Sequence, residues 1–305
     1  MSEVRMIIAF AVLLLVTAIT LAAFHGRRTR AWARLAARRS ARRGIAAASR
    51  VTRRDLQPTR VVDVPPAQTL VDDARLGLAV TGLATPSVGH PHQDVYYVQR
   101  NTIAIARGLT DAEVCQRAAA LSLSAVMTSS LGQDLRIEEA LRAGVTAANA
   151  LVRSVAAREP RYSGMATTLD VVLATFEGDQ PLLHFAHVGS SSIWLQRTAS
   201  MSVELLTESH TIAGGPLLRA IGMSGSVIAQ IGHRRAEAGD RLFITTSSRS
   251  FAFTPETVSA VATEHAAGSL HDCAAGLAAA TQPSTDLEGI TIVAAEIARS
   301  AIFVA

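Results

Sequence analysis

Three stretches carry residue types that could do chemistry. The first is Leu182 to Arg197, where Gly189-Ser190-Ser191 separates two runs rich in aliphatic and aromatic residues. The pattern predicts a β-hairpin with the small residues at its turn. Alternation places Phe185 and His187 on one face and Ala186 and Val188 on the other. Ser190 lies near His187, which raises the question of a nucleophilic serine. However, Ile193 continues into a strand, so the strand-to-helix elbow of such a nucleophile is missing. A turn serine is the simpler reading. The second stretch is His90-Pro91-His92-Gln93-Asp94. In an extended chain, positions 90, 92 and 94 share one face, and two imidazoles with a carboxylate could meet a metal. No companion His cluster follows downstream, so the stretch alone predicts no metal centre. The third, Gly214-Gly215-Pro216, lacks the glycine spacing and lysine of a phosphate cradle and reads as a turn. Cys115 and Cys273 are the only cysteines. Each falls on the apolar face of a predicted helix, which points to two buried thiols rather than a disulfide framework.

The elements that must hold these residues follow from periodicity and punctuation. Leu76 to Leu83 and Val95 to Ala106 read as strands, the second interrupted near Arg100-Asn101. Thr110-Asp111-Ala112-Glu113 is a capping-box signature opening a helix to about Ser129. Ile137, Leu141, Val145, Ala148, Val152 and Val155 form a helical stripe, giving a helix from Leu135 to about Ala157. Strands are expected at Thr167 to Phe176, in the two runs of the Leu182 to Arg197 stretch, and at Ser202 to Thr207, Val227 to Ile231 and Arg241 to Thr246. Thr254-Pro255-Glu256 caps a helix with proline at its first position. Ser269 begins another helix that ends before Pro283, and Ile290 to Ile297 is a last apolar strand. This order is α+β: antiparallel sheets covered by helices.

Charge divides the 305-residue chain unevenly. The formal net charge is +4, yet His25 to Arg60 holds twelve Arg and one acid, Asp55. Beyond Arg60, 16 Arg face 23 Asp and Glu, a formal charge of −7. An acidic domain therefore hangs from a basic leash. Met6 to Phe24 carries no charge and is long enough to cross the roughly 30 Å hydrocarbon layer of a bilayer. Its start is poorly charged for a cleaved signal peptide, and the Arg-rich flank that follows reads as a stop-transfer signal. The positive-inside rule places the rest of the chain in the cytoplasm of a single-pass cell-membrane protein. Arg27 to Arg54, with eleven Arg, suits anionic lipid. It holds Trp32 as its one aromatic residue and abuts the apolar run, so nucleic acid is not the expected partner. Gln57 to Thr69, with three prolines, reads as a linker.

Taken in order, eight stretches resemble the metal-dependent PPM, or type 2C, serine/threonine protein phosphatases. They are His92-Gln93-Asp94, Ile105-Ala106-Arg107-Gly108-Leu109, Gly164-Met165-Ala166-Thr167-Thr168-Leu169 and His187-Val188-Gly189-Ser190-Ser191. Leu206-Thr207-Glu208-Ser209-His210, Arg219-Ala220-Ile221-Gly222, Ala238-Gly239-Asp240-Arg241-Leu242 and Glu288-Gly289-Ile290-Thr291-Ile292 complete the set. The resemblance covers about residues 73 to 297. It implies a sandwich of two antiparallel β-sheets flanked by helices. It also divides the chain into an anchor over 1–25, an Arg-rich segment and linker over 26–70, a phosphatase-like domain over 71–299 and a tail over 300–305.

The same resemblance implies water activated between two Mg²⁺ or Mn²⁺ ions, which need hard anionic oxygen ligands. Here the sequence departs from the family. An Asn-Glu-Asp triplet is replaced by His92, Gln93 and Asp94. The bridging aspartate of an Ala-Asp-Gly stretch is replaced by Arg107, with Gly108 kept. The aspartate of the Gly-Asp-Ser turn is replaced by Ser190. A later Ser-Asp-Gly becomes Thr246-Ser247-Ser248, and a final Asp-Asn pair becomes Glu288-Gly289. The upstream arginine that binds phosphate has no counterpart in Gly89 to His92, and the segment from Thr207 to Arg219 is shorter than the family's flap region. A unit positive charge about 4 Å from a divalent ion costs several kcal/mol even at an effective dielectric near 20. The expectation is therefore a pseudophosphatase with no cofactor, whose Arg107 takes the metal's place beside Asp94 and Glu288. It would bind a partner such as a kinase or phosphoprotein. The alternative is a divergent phosphatase with one Mn²⁺ or Mg²⁺ held by Asp94, Glu288 and His90 or His92.

Overall fold

The computed structural model describes residues 78–85, 94–99, 101–109, 112–130, 136–178, 180–212, 215–247, 253–280 and 290–297. His90, His92, Gln93, Ser248, Glu288 and the segments Met6 to Phe24 and Arg27 to Arg54 lie outside them. Among the described residues no helix is long and apolar enough to cross a membrane.

The chain runs β1 (Leu78–Thr85), β2 (Asp94–Gln99), β3 (Thr102–Arg107), α1 (Ala112–Ser130) and α2 (Ile137–Arg158). It continues through a 3-10 turn (Pro160–Tyr162), β4 (Leu169–Glu177), β5 (Gln180–Val188), β6 (Ser192–Gln196) and β7 (Val203–Leu205). The last elements are β8 (Gln230–Arg235), β9 (Arg241–Thr245), α3 (Pro255–Glu264), α4 (Leu270–Ala280) and β10 (Ile290–Ile297). Two five-stranded sheets result, ordered β2-β3-β4-β5-β8 and β1-β10-β9-β6-β7. Every pairing between these strands is antiparallel.

Three apolar layers hold the architecture together. Ile103, Ile105, Val172, Leu183 and Phe185 of the first sheet meet Ile193, Leu195, Leu242, Ile244 and Val293 of the second. Each fully buried aliphatic side chain contributes about 1.5–3 kcal/mol. The opposite face of the first sheet, with Ala104, Ala106, Leu169, Val171 and Ala186, is covered by α1 and α2. The predicted α2 stripe is the buried one: Leu141, Val145, Ala148 and Val152 are buried, and Ile137 and Val155 pack against them. Trp194, Phe243, Ile292 and Ala294 of the second sheet are covered by Val258, Val261, Cys273 and Leu277 of α3 and α4. Thr254 caps α3 as its sequence predicts, accepting a hydrogen bond from the Thr257 amide at 3.2 Å.

One element differs in kind. β5 and β6 do not form the predicted hairpin. β5 lies between β4 and β8, whereas β6 lies between β7 and β9 in the other sheet. Gly189-Ser190-Ser191 therefore carries the chain from one sheet to the other. Both runs are buried on both faces, the condition of interior strands, whose continuous apolar sequence carries no sign of which strand is the neighbour. At the crossing Gly189 has φ +128°, and a Cβ there would meet Thr168 at 2.6 Å. The hairpin is instead β4–β5, closed where Glu177 pairs with Gln180. The strand expected at Val227 to Ile231 lies later, at β8. This is an edge strand whose His233, Arg234 and Arg235 are exposed, so its apolar alternation is faint.

Candidate functional site

The two sheets end in a polar layer. Along β2, β3, β4 and β5, alternate side chains face the inter-sheet core. Asp94 continues the row of Tyr96 and Val98, Arg107 that of Ile103 and Ile105, Asp170 that of Val172, and His187 that of Phe185. From the other sheet, Thr246 continues the row of Leu242 and Ile244, and Thr291 that of Val293 and Ala295. Polar side chains from both sheets therefore occupy one end of an otherwise apolar interlayer.

Asp94 opens β2 and Arg107 closes β3, directly opposite in register. The Arg107 guanidinium donates from Nη1 to Asp94 Oδ1 at 3.3 Å and Oδ2 at 3.5 Å. Their side chains are 5% and 2% exposed, so the pair is electrostatically strong and its desolvation is costly. The Thr246 hydroxyl donates to Asp94 Oδ2 at 2.8 Å and accepts from the Thr291 amide at 2.8 Å. Asp94 thus ties the end of β3 to the loop after β9 in the other sheet.

Gly108 follows immediately. It bridges to Thr167, and a Cβ there would lie 2.2 Å from Cys115 Cβ and 2.3 Å from Cys115 Cα. The close approach of α1 fixes this glycine. Ser190 and Ser247 meet across the crossing: the Ser247 hydroxyl donates to Ser190 O at 2.9 Å and lies 2.9 Å from Ser190 Oγ. Ser190 therefore has a hydroxyl neighbour. The Gly215 amide donates to Ile212 O at 2.7 Å. Cys115 and Cys273 are both buried thiols.

A second buried cluster was not anticipated. His187 Nδ1 lies 2.7 Å from Asp170 Oδ1, and neither side chain is exposed. The His187 ring stacks at 4.8 Å on that of His210, whose Nδ1 accepts the Gly189 amide hydrogen at 3.1 Å. Its sequence signal is Asp170 at an inward position within Leu169-Asp170-Val171-Val172, where an apolar residue is the rule. Among the described residues, Asp170 Oδ2 and His187 Nε2 have no hydrogen-bond partner.

Burial first, then the electrostatic influence of neighbouring His187 and Arg219, pushes the His210 imidazole down to about 4. In the unfolded chain it titrates near 6.5. The folded protein thus binds one proton fewer between these values, and stability falls as pH drops from about 6.5 toward 4. The loss expected is on the order of 2 kcal/mol. His210→Asn, whose amide oxygen can accept the Gly189 hydrogen, should flatten the urea-midpoint profile over this range. Superimposable profiles for variant and parent would rule the linkage out.

No family model matches the chain, and no curated sequence is significantly similar to it. Solved structures are similar in fold. The serine/threonine phosphatase PstP of Mycobacterium tuberculosis superposes with a TM-score of 0.58 at 22% identity, over 73% of this chain and 100% of that one. The PPM Ser-Thr phosphatase MsPP of Mycobacterium smegmatis gives 0.59 at 20% identity, over 73% and 99%. PppA of Pseudomonas aeruginosa, a regulatory component of a type VI secretion system, gives 0.61 at 15% identity, over 72% and 98%. The described domain has the PPM-type phosphatase fold: two antiparallel sheets between helical layers. At these identities the likeness is one of fold.

Proposed function

We propose that this chain is a membrane-anchored, PPM-type phosphatase-like protein that acts by binding a partner rather than by hydrolysing phosphate esters. One observation carries the reading. The Arg107 guanidinium donates to both oxygens of the buried Asp94 carboxylate. A carboxylate so engaged, with a positive charge beside it, is a poor ligand for Mg²⁺ or Mn²⁺. Ser190 and Ser247 satisfy each other, and neither hydroxyl supplies the negative charge that a dinuclear centre needs. This donor set does not fit two divalent ions.

Met6 to Phe24 would span the bilayer, Arg27 to Arg54 would lie on anionic headgroups, and the domain would face the cytoplasm. Its partner would be a kinase or phosphoprotein at that surface. Calorimetric titration of the protein with Mn²⁺ and Mg²⁺, run beside an aryl-phosphate and a phosphopeptide assay, tests the central claim. No stoichiometric binding and no metal-dependent turnover are expected. A metal-dependent turnover would establish the rebuilt phosphatase centre instead. A reporter fused to Ala305 should be active only in the cytoplasm, and activity on the other side of the membrane would overturn the orientation.

A further inference from the structure

Six large apolar side chains are exposed among the described residues, and four of them lie in one stretch: Ile212 (53%), Leu218 (55%), Met223 (55%) and Ile228 (68%). Single exposed aliphatics need no explanation, but such a concentration does. This stretch is anchored, not loose. Ala220 and Ile221 are buried at its base. Ile221 exchanges backbone hydrogen bonds with Thr167 at 2.9 and 3.0 Å. The buried Asn149 of α2 clamps it from below, accepting from the Gly222 amide at 2.8 Å and donating to Ser224 O at 3.1 Å. Gln230 holds its two ends together, accepting from the Glu208 amide at 2.8 Å and donating to Leu206 O at 3.2 Å. A surface ordered before binding loses little entropy on binding.

Between Leu218 and Ile228 the stretch forms a cavity of about 130 Å³ lined by Arg219, Ala220, Ser224, Ser226, Val227 and Ile228. That is below the roughly 300–1,000 Å³ of small-molecule pockets and matches a single side chain. Arg219 is exposed at its wall. A cation set among aliphatic side chains selects an apolar segment that carries one acid.

We infer that the Leu218–Ile228 surface is a docking site for a peptide segment of a partner protein. That segment has aliphatic residues flanking one acidic group, which Arg219 receives. An anionic bilayer is a poorer fit, because a cavity of about 130 Å³ receives one side chain rather than a lipid face. The inference rests on the reading of a binding module and specifies its partner, yet the two can fail separately: turnover would remove the first, and an unselective surface the second.

The test is a displayed library of nonapeptides, each with two aliphatic residues and one Glu, Gln or phosphoserine at varied positions, panned against the full chain. Selected peptides should combine aliphatic residues with an acid, and exchanging that acid for Gln should weaken binding about tenfold. Arg219→Gln should abolish the preference for the acid. Ile228→Ser and Leu218→Ser, both at exposed positions, should weaken every selected peptide by about tenfold or more. Equal enrichment on the parent and on Ile228→Ser would overturn the inference. So would binding to phosphatidylglycerol vesicles, or self-association in sedimentation, that is lost with these same substitutions. Glutamate and phosphoserine peptides compared side by side identify which acid the site takes.

Discussion

Replacing Arg107 with alanine is expected to lower the melting temperature by on the order of 10 °C. The guanidinium lies beside a carboxylate whose side chain is 2% exposed. Removing one partner of a buried ion pair costs about 3–5 kcal/mol, because the remaining charge stays out of water. In a domain of this size each kcal/mol moves the midpoint by about 2–4 °C. The Thr246 hydroxyl still reaches Asp94 Oδ2 at 2.8 Å, but it supplies a dipole and no charge. The paired variant Asp94→Leu with Arg107→Met should recover most of the loss, since apolar residues of similar volume commonly replace a buried pair without penalty. Differential scanning calorimetry of the parent, the single variant and the double variant separates the charge from the volume. A single variant that melts with the parent would show that the pair is not a structural brace.

Gly108→Ala should be the next most damaging single change, at about 3 kcal/mol or more. The added Cβ would lie 2.3 Å from Cys115 Cα and 2.5 Å from Cys115 C. These are main-chain atoms near the start of α1, so no side-chain rotation relieves the overlap. The helix itself must move off Ala104 and Ala106. A particular consequence is that Cys115→Ala should fail to rescue Gly108→Ala, because it leaves the opposing main chain in place. Rescue to parental stability in urea titration would mean that the clash is with the thiol-bearing side chain alone.

Much of this architecture is legible in the residues, and the reasons are local. The α2 stripe, the Thr254-Pro255 cap and the Ile290 to Ile297 strand each follow from patterns contained within a single element. What escaped depends on partners far apart in the chain. Leu182 to Arg197 reads as two strands about a turn, and so it is, but periodicity does not say that β5 and β6 join different sheets. The Arg107–Asp94 contact follows from an antiparallel register across a short connection and from the resemblance. The Ser190–Ser247 contact spans 57 positions. The Asp170–His187–His210 cluster needs three elements to converge, and no spacing in the sequence announces it.

The sheet order also bears on how the chain is made. β1 pairs with β10 from Leu78↔Ile297 to Thr85↔Ile290, so the earliest described strand to leave the ribosome joins one of the last. β10 lies between β1 and β9. Until residues 290–297 emerge, β1 has no seat in its sheet and β9 keeps an open edge. Loop closure over so long a separation is the slow kind of contact to form. Completion of the second sheet therefore waits on residues 290–297, and a stop codon shortly before Ile290 removes the strand on which both of its neighbours depend.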